Sequence, residues 1–309
     1  AKGAPIVFPA DSSAVLQSTE LGWTASVFDA DGVLLATAQT VEVFMKPEDG
    51  STLFEMKWRD RLPKYDLYRG AMYIRANGGG VMAVNHVSMD EYVKGVVPAE
   101  MPPLWPIEAV KAQAVAARSY AYVRLRPTTY YDVRPTADNQ VYGGVRIEHW
   151  RANQAVDATA NEVVMYDGEP ANTYFFTTAG GYTESNEYAW VTSAGRVVAK
   201  PIPYLRGVPD LDPNGVAYDK GNSDYEWSSA EFTWEQLENW LNDDSRTRVG
   251  NLLDIDFERG VSGRIYRVTI TGSTRTVKVS GQILKAIYNS HRAGGEKLLS
   301  SMFWMQRVE

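Results

Sequence analysis

The feature that most constrains the fold is a long segment without helix breakers. Residues 107–126, between Pro106 and Pro127, contain neither glycine nor proline. Pro106 suits the first position of a helix, and Glu108 complements the positive charge of a helix N-terminus. Apolar side chains recur at spacings of three and four, as one buried stripe requires, at Ile107, Val110, Ala114, Ala117 and Ala121. The pattern predicts a long helix whose small side chains allow another element to approach closely.

A single carboxylate stands just before this helix. Glu100 lies between Pro98 and the pair Pro102-Pro103, and prolines fix their own φ and restrict the residue before them. We therefore expect a stiff, extended turn at Glu100. A carboxyl group against apolar surface tends to stay protonated near neutral pH, as a general acid must. The sequence neighbours are apolar: Val96, Val97, Met101, Leu104 and Trp105. An exposed loop residue or helix cap is the alternative interpretation of Glu100.

The segment GVVPAEMPPLWPIEAVKAQAVAARSYA, residues 95–121, resembles the signature of the stage II sporulation protein D family, which includes the amidase-enhancer LytB proteins. In that family the glutamate of VVPAEMP is the catalytic acid of a peptidoglycan lytic transglycosylase. The resemblance implies this role for Glu100. It begins at Tyr68-Arg69-Gly70, includes a Q-x-Y-x-G segment at residues 140–144, and covers about three quarters of the chain.

Polar residues of the helix and of the Q-x-Y-x-G segment are candidates for substrate contact. They are Lys111, Gln113, Arg118, Tyr120, Gln140 and Tyr142. The four helical residues leave the stripe at several angles, so not all of them can face one cleft. For Arg118, a buried structural ion pair explains the residue as well as substrate contact does.

A second motif, Thr177-Thr-Ala-Gly-Gly-Tyr-Thr-Glu184, follows a predicted strand. Two adjacent glycines mark a tight turn or a close approach, and a structural turn is the default interpretation. The resemblance, to the S-T-S-G-G-x-T-E segment of the family, instead implies a place beside the cleft for Gly180, Gly181, Tyr182, Thr183 and Glu184. Sugars stack on aromatic faces, so Tyr142, Tyr182 and Trp190 are further cleft candidates.

Metal and cofactor sites are not predicted. The chain has no cysteine, and its three histidines, His86, His149 and His291, are far apart in the sequence. Some family members bind zinc through histidine and cysteine, but Phe176 stands where they often have histidine. We expect neither zinc nor an organic cofactor.

Charge and hydropathy exclude some classes of function. The net charge is −7 and no Lys/Arg cluster stands out, which argues against a nucleic-acid binder. No run of about 18 apolar residues occurs, so we expect no membrane span in this chain. The sequence begins at Ala1, which suggests a processed protein or a trimmed chain without its signal or anchor. The resemblance implies a bacterial, extracytoplasmic, carbohydrate-binding protein that is secreted or associated with the cell wall.

The predicted fold class is α+β, with antiparallel sheets around a long central helix and a second helix that together form a substrate cleft. Two domains are expected: a β-rich segment at residues 1–64, which is separate or integral to the main domain, and a catalytic domain at 65–309. Strands are predicted at 14–17, 24–28, 33–37, 41–45, 68–75, 81–87, 163–166, 172–177, 252–257, 264–271, 274–279 and 303–304. Further helices are predicted from Ser88, over 148–162, from Thr233 and over 282–288.

Three functions are compatible with these sequence features. Most glycosidases need two carboxylates, but a lytic transglycosylase needs one, because the 6-hydroxyl of muramic acid attacks its own anomeric carbon and leaves a 1,6-anhydro end. The second possibility is a non-catalytic, glycan-binding activator of a cell-wall amidase. The third is a structural β-rich domain with a vestigial cleft. The first is favoured, with peptidoglycan glycan strands as the expected partner.

Overall fold

The computed structural model describes residues 6–20, 22–57, 65–227, 231–292 and 297–305. The chain divides into two compact units, residues 1–175 and 176–309. Both contain helices and antiparallel sheets, so the predicted α+β class is confirmed. Within the described ranges, no helix is both long enough and apolar enough to span a bilayer. The predicted domain boundary at residue 64 lies outside the described residues and stays a prediction.

The strands of the first unit are short and antiparallel. Among the described residues that precede the first helix, three sheets form: β1 (Ser13–Thr19), β2 (Gly22–Phe28) and β3 (Leu34–Gln39); β4 (Glu42–Met45), β7 (Ala71–Asn77) and β8 (Gly80–His86); and β5 (Phe54–Glu55) with β6 (Leu67–Tyr68). The predicted turn between β2 and β3 is confirmed, because Asp29 Oδ1 accepts hydrogen bonds from the main-chain N–H groups of Asp31 and Val33 at 3.0 and 2.8 Å. The predicted hairpin across residues 77–80 is formed by β7 and β8.

The helices of the first unit follow these strands. They are α1 (Met89–Lys94), α2 (Val97–Glu100), α3 (Ile107–Tyr122), a 3-10 turn (Gly144–Ile147) and α4 (Trp150–Ala158). Ser88 caps α1 as predicted. The helix predicted over residues 148–162 corresponds to α4 and is shorter than predicted. The His149 side chain caps its first turn, and Asn161, with φ of 62°, follows its end.

The predicted strand over residues 172–177 is wrong. Only β9 (Met165–Tyr166) and β10 (Glu169–Pro170) pair in this region. Asn172 and Thr173 bond to the helix region instead: Asn172 Oδ1 accepts from Arg124 Nη1 at 2.9 Å, and Thr173 Oγ1 donates to the Ala116 carbonyl at 2.7 Å. These side-chain bonds hold the segment without a strand ladder.

The core of the first unit forms around the predicted stripe of α3. Val110, Ala114 and Ala117 are fully buried, and Ala121 nearly so. They pack in one cluster with residues of α1, α2 and α4, which include Val93, Val97, Ala152, Ala155 and Val156. Because the facing side chains are alanine and valine, the helices lie close together, as the sequence predicted.

The second unit consists of a three-stranded sheet with helices. Its elements are α5 (Asn186–Ala189), α6 (Trp234–Asp243), β11 (Leu252–Arg259), β12 (Ile265–Gly272), β13 (Thr276–Val279) and α7 (Gly281–Ser290), with strand order β11-β12-β13. The predicted capping box is present: Gln236 N–H donates to Thr233 Oγ1 at 3.1 Å and Thr233 N–H donates to Gln236 Oε1 at 2.8 Å. The predicted strand at Phe303-Trp304 is wrong, since Phe303 instead fills the core of this unit.

Candidate functional site

Glu100 lies at the last position of α2, not on the extended turn that the prolines suggested. Pro98 stands in the first turn of this helix, where its missing N–H is not needed. The restriction by the following proline acts one residue later, because Met101, which precedes Pro102, has extended backbone with φ of −143° and ψ of 137°. The Met101 N–H donates to the Val97 carbonyl at 2.9 Å and closes the helix. Glu100 is thus fixed by a helical turn.

The carboxyl group of Glu100 is bound on one side only. Its Oε1 accepts a hydrogen bond from the main-chain N–H of Val141 at 2.7 Å. Its Oε2 has no hydrogen-bond partner, and the carboxylate no ion-pair partner, among the described residues. The side chain is half-buried. One oxygen is therefore oriented by the protein while the other can reach a ligand.

Gln140 holds the segment that carries the Val141 N–H. Its side chain is fully buried, its Nε2 donates to the Ala117 carbonyl at 3.3 Å, and its Oε1 accepts from the Tyr92 hydroxyl at 3.2 Å. Tyr142, next in the chain, is also buried, and its hydroxyl donates to Asn85 Oδ1 at 2.7 Å. Both residues fix the segment, and their contact with a substrate stays a prediction.

Tyr92 and Tyr142 form an aromatic pair beneath this segment. Their ring centroids lie 5.0 Å apart. Burial raises the pKa of the Tyr92 hydroxyl, and the neighbouring acidic groups of Tyr120 and Glu100 raise it further. Burial also raises the pKa of the Tyr142 hydroxyl. Both phenols are therefore neutral hydrogen-bond donors near neutral pH.

Tyr120 is buried on α3 and is covered by a cation. The guanidinium carbon of Arg124 lies 3.2 Å from the centroid of the Tyr120 ring. Arg124 Nη1 also donates to the Tyr120 carbonyl at 2.8 Å. Asn139 Nδ2 donates to the Tyr120 hydroxyl at 3.5 Å. Tyr120 thus lies against the same segment, residues 139–142, that orients Glu100.

The other polar residues of α3 have different surroundings. Lys111 forms an exposed ion pair with Glu108 at 2.8 Å. Arg118 is only 2% exposed; its guanidinium forms an ion pair with Asp90 at 2.8 Å and donates to the carbonyls of Val156 and Glu162. This is the structural ion pair considered above, and it leaves Arg118 inside the protein.

Gln113 is the buried polar residue of α3 with an unused donor. Its side chain is 8% exposed, and its Nε2 has no hydrogen-bond partner in the described part of the chain. Tyr120 follows seven residues later, so both side chains leave the same face of the helix. A buried donor without a partner costs roughly 1–3 kcal/mol, which is a reason to look for a ligand at this position.

Comparison with known proteins gives a match over the part of the chain that contains Glu100. A family described as Stage II sporulation protein matches residues 77–166, which include Glu100, α3 and the segment 139–142. The chain therefore contains a stage II sporulation protein D domain.

Several known proteins are similar to parts of this chain. An uncharacterized protein of Brachyspira hyodysenteriae is 32% identical over 240 residues, 74% of this chain and 60% of that protein. The Amidase enhancer of Bacillus subtilis is 39% identical over 110 residues, 35% of this chain and 15% of that protein. The Stage II sporulation protein D of Bacillus amyloliquefaciens is 36% identical over 144 residues, 41% of this chain and 39% of that protein. The chain thus spans less than two thirds of these relatives.

The double-glycine motif lies in the second unit. It is outside the residues that match the stage II sporulation protein family. Gly180 and Gly181 have φ of 66° and 82°, which favours glycine at both positions. Gly180 N–H donates to Asp219 Oδ2 at 2.8 Å, and Gly181 O accepts from Asp210 N–H at 3.0 Å. Thr183 N–H donates to the Val208 carbonyl at 2.9 Å. The motif is thus a turn bound to residues 208–219, and its place beside Glu100 stays a prediction.

Glu184 connects this motif to the turn between β11 and β12. Its Oε1 accepts from the main-chain N–H groups of Ser185 and Val261 at 2.8 and 3.1 Å, and its Oε2 accepts from Ser262 Oγ at 2.5 Å. Arg264 donates to the Tyr182 carbonyl at 2.8 Å.

Trp190, just after α5, is half-exposed.

Sequence reasoning missed the residues that orient Glu100. The decisive donor is the main-chain N–H of Val141. The residue type at a position does not indicate what its main-chain N–H will bind. Asn85 lies on β8, Tyr92 on α1 and Arg124 in the turn after α3. Their positions depend on tertiary packing, so no local pattern indicated them. Of the described residues, no group of three or more histidine, aspartate or glutamate side chains could hold a metal ion.

Proposed function

We propose that the protein is a peptidoglycan lytic transglycosylase. It cleaves the bond between N-acetylmuramic acid and N-acetylglucosamine and leaves 1,6-anhydro-N-acetylmuramic acid ends. The observation that carries this proposal is the carboxyl group of Glu100, with Oε1 held by Val141 N–H at 2.7 Å and Oε2 unbound. A proton donor needs this combination of a fixed orientation and a free oxygen.

One carboxyl group performs both proton transfers. Glu100 Oε2 first donates its proton to the glycosidic oxygen, and the bond between that oxygen and the anomeric carbon breaks. The carboxylate then accepts the proton of the muramic acid 6-hydroxyl, while the oxygen of that hydroxyl bonds to the anomeric carbon. General acid–base catalysis of this kind contributes about 10²–10⁴-fold. The Val141 N–H stabilises the carboxylate that exists between the two steps.

The other acids on the surrounding helices have partners, which favours a one-carboxylate mechanism over hydrolysis by two. Asp90 is bound by Arg118 at 2.8 Å and Glu108 by Lys111 at 2.8 Å. Glu148 accepts from Arg69 Nε at 2.8 Å and from Asn153 Nδ2 at 2.8 Å. A base for water activation requires a free carboxylate at a suitable distance.

Substrate contacts are assigned to a few polar groups. We assign the unpaired Nε2 of Gln113 to a carbonyl oxygen of the substrate, such as that of an acetamido group, because the amide is buried without a partner. The double-glycine motif keeps the binding role that the family resemblance implies, and Trp190 is proposed as an aromatic ring on which a sugar stacks. Lys111 is exposed enough to reach a lactyl oxygen if it leaves Glu108.

The names of relatives support a place outside the cytoplasm, at the cell wall. One is named Amidase enhancer and another Stage II sporulation protein D. The first name also favours the second candidate function, a non-catalytic activator of a cell-wall amidase. In that case the same residues bind glycan and Glu100 transfers no proton.

The proposal is tested by digestion of purified glycan strands with the full chain and with Glu100→Gln. Mass spectrometry should detect anhydromuramic acid ends with the unaltered protein and a loss of at least about 100-fold with Glu100→Gln. Glu162→Gln is the matched control, because Glu162 is exposed and is not among the proposed binding residues; its activity should be unchanged. Equal product from the unaltered protein and Glu100→Gln would rule out the enzyme. Full amidase activation by Glu100→Gln with no product from either protein would establish the activator.

A further inference from the structure

Arg151 connects the turn after Glu100 to the start of α4. Its Nε donates to the Pro103 carbonyl and its Nη2 to the Trp105 carbonyl, both at 3.1 Å. Its guanidinium carbon lies 5.8 Å from the centroid of the Trp150 ring. Two donors of one planar fork thus fix two carbonyls of a proline-rich turn. The turn and the helix terminus form one rigid piece.

This piece carries exposed apolar side chains. Trp105 is 52% exposed and Trp150 is 68% exposed. Leu104, beside Trp105, is exposed as well. Single exposed apolar residues are ordinary, but Arg151 connects these two tryptophans, because it donates to the Trp105 carbonyl and lies 5.8 Å from the centroid of the Trp150 ring. Exposed apolar side chains that are grouped mark a binding surface. Leu104, Trp105, Trp150 and Arg151 are called the Trp105–Trp150 surface below.

The indole of Trp150 is held in a defined orientation. The His149 ring lies 5.9 Å from it at an interplanar angle of 26°. His149 is itself fixed, because its Nδ1 accepts from the Arg151 N–H at 3.2 Å as the cap of α4. An aromatic ring that is already oriented loses little conformational freedom when a ligand stacks on it.

We propose that the Trp105–Trp150 surface is a second subsite for the glycan strand, which takes an N-acetylated sugar ring away from the cleaved bond. This proposal rests on the proposed function, since it assumes that the strand reaches Glu100. Trp105 follows Glu100 by only five residues, across Pro102-Pro103. A polymer bound at Glu100 therefore extends onto neighbouring surface.

The chemistry of the surface favours a sugar ring as its occupant. Pyranose rings present flat C–H faces, which pack on rigid indoles as apolar groups do. Arg151 forms no ion pair within the described ranges, and its Nη1 has no hydrogen-bond partner there. This N–H group can donate to an acetamido or lactyl oxygen of the sugar. A cationic ligand is disfavoured by the same guanidinium.

Binding is measured with the full chain carrying Glu100→Gln, so that the strand is not cut. The probe is peptide-free glycan of long chain length, with a disaccharide of the same sugars for comparison. Trp150→Ala in this background should lower the affinity for long strands about tenfold, because truncation of an aromatic anchor costs about 1–2 kcal/mol. Affinity for the disaccharide should change little. Trp304→Ala is the matched control, since Trp304 is 69% exposed, and it should bind like the parent.

Circular dichroism and thermal unfolding show whether Trp150→Ala folds, and Trp150→Phe, which keeps a flat ring, should restore most of the affinity. In the active chain, Trp150→Ala should raise KM for long strands with kcat nearly unchanged. Equal affinities of Trp150→Ala and Trp304→Ala for long strands would overturn the proposal. Unchanged glycan affinity with weakened activation of a cell-wall amidase would overturn it too and would make the surface a protein-docking site.

These results separate the subsite from the proposed function. Trp150-dependent binding without anhydro product from the active chain keeps the subsite and removes the transglycosylase. Anhydro product with no dependence on Trp150 removes the subsite and keeps the enzyme.

Discussion

The main-chain N–H of Val141 donates to Glu100 Oε1 at 2.7 Å. The two residues are 41 positions apart in the chain, so the carboxyl group is oriented by tertiary structure and not by its own helix. The bond leaves Oε2 free for the proposed proton transfer. Predictions about the site follow from the side chains that hold this pair in place.

Gln140→Leu should weaken both stability and activity. The substitution leaves the Tyr92 hydroxyl and the Ala117 carbonyl without their partner in a buried place. We expect a loss of about 2–4 kcal/mol in the free energy of unfolding, measured in denaturant. We expect kcat to fall at least about tenfold, because Val141 N–H loses its support. Gln154→Leu, at an exposed position of α4, should change the stability by less than about 0.5 kcal/mol. A normal kcat for Gln140→Leu would show that the segment is held by other contacts.

Gln113→Met should separate stability from binding. The Nε2 of Gln113 is buried without a partner, so an apolar side chain of similar size should leave the free energy of unfolding unchanged or raise it by up to about 1 kcal/mol. KM for glycan should rise, because the substrate loses a donor. Denaturant unfolding and steady-state kinetics measure the two effects. Marked destabilisation together with an unchanged KM would show that Gln113 has a structural role only.

Arg118→Met should destabilise the first unit and spare catalysis. Arg118 is buried and pairs with Asp90 at 2.8 Å. Removal of one partner of a buried ion pair typically costs 3–5 kcal/mol. Because Asp90 is partly exposed, we expect about 3 kcal/mol here. If the folded fraction is taken into account, kcat and KM should stay within about twofold of the parent. A specific rise in KM at full folding would instead assign Arg118 to the substrate.

The second unit should lose stability in acid through Glu187. Both carboxylate oxygens accept from the Arg206 guanidinium at 2.7 Å, and this bond holds the pKa of Glu187 below its ordinary value of 4.5. The folded carboxyl thus binds its proton less readily than the unfolded one. Its contribution to stability is complete above pH 4.5 and is lost as the pH falls through the lower, folded pKa.

Unfolding of Glu187→Gln, measured as a function of pH, checks this prediction. The variant should be less stable than the parent at neutral pH, and the difference should shrink as the pH falls below 4.5. Glu235→Gln, at an exposed position of α6, is the control and should leave the pH dependence unchanged. A difference that stays constant with pH would contradict the assignment to this ion pair.

The sequence predicted the elements whose patterns are local. The alanine stripe of α3 has the predicted period and is buried, and the capping box of α6 has both predicted hydrogen bonds. The hairpin of β7 and β8 was predicted because alternating strands flank a glycine-rich turn. In these cases the side chains that decide the structure are neighbours in the chain.

The sequence failed where distant contacts decide the structure. Glu100 is helical because Pro98 fits the first turn of α2, a position that the proline pattern alone did not reveal. Residues 172 and 173 form hydrogen bonds with Arg124 and Ala116 and are not part of a strand. The predicted role of Glu100 came from the family resemblance, whereas the donor that orients it is a main-chain group from residue 141.

Two adjacent residues, Gln140 and Val141, join the middle of α3 to the carboxyl group of Glu100. Gln140 binds the Ala117 carbonyl, and Val141 binds Glu100. The acceptor on α3 is the main-chain carbonyl of Ala117, which moves with the helix backbone. We therefore expect that bending of the long helix near Ala117 also displaces the carboxyl oxygen of Glu100. The proposed activity should therefore depend on the shape of a helix that does not itself carry the acid.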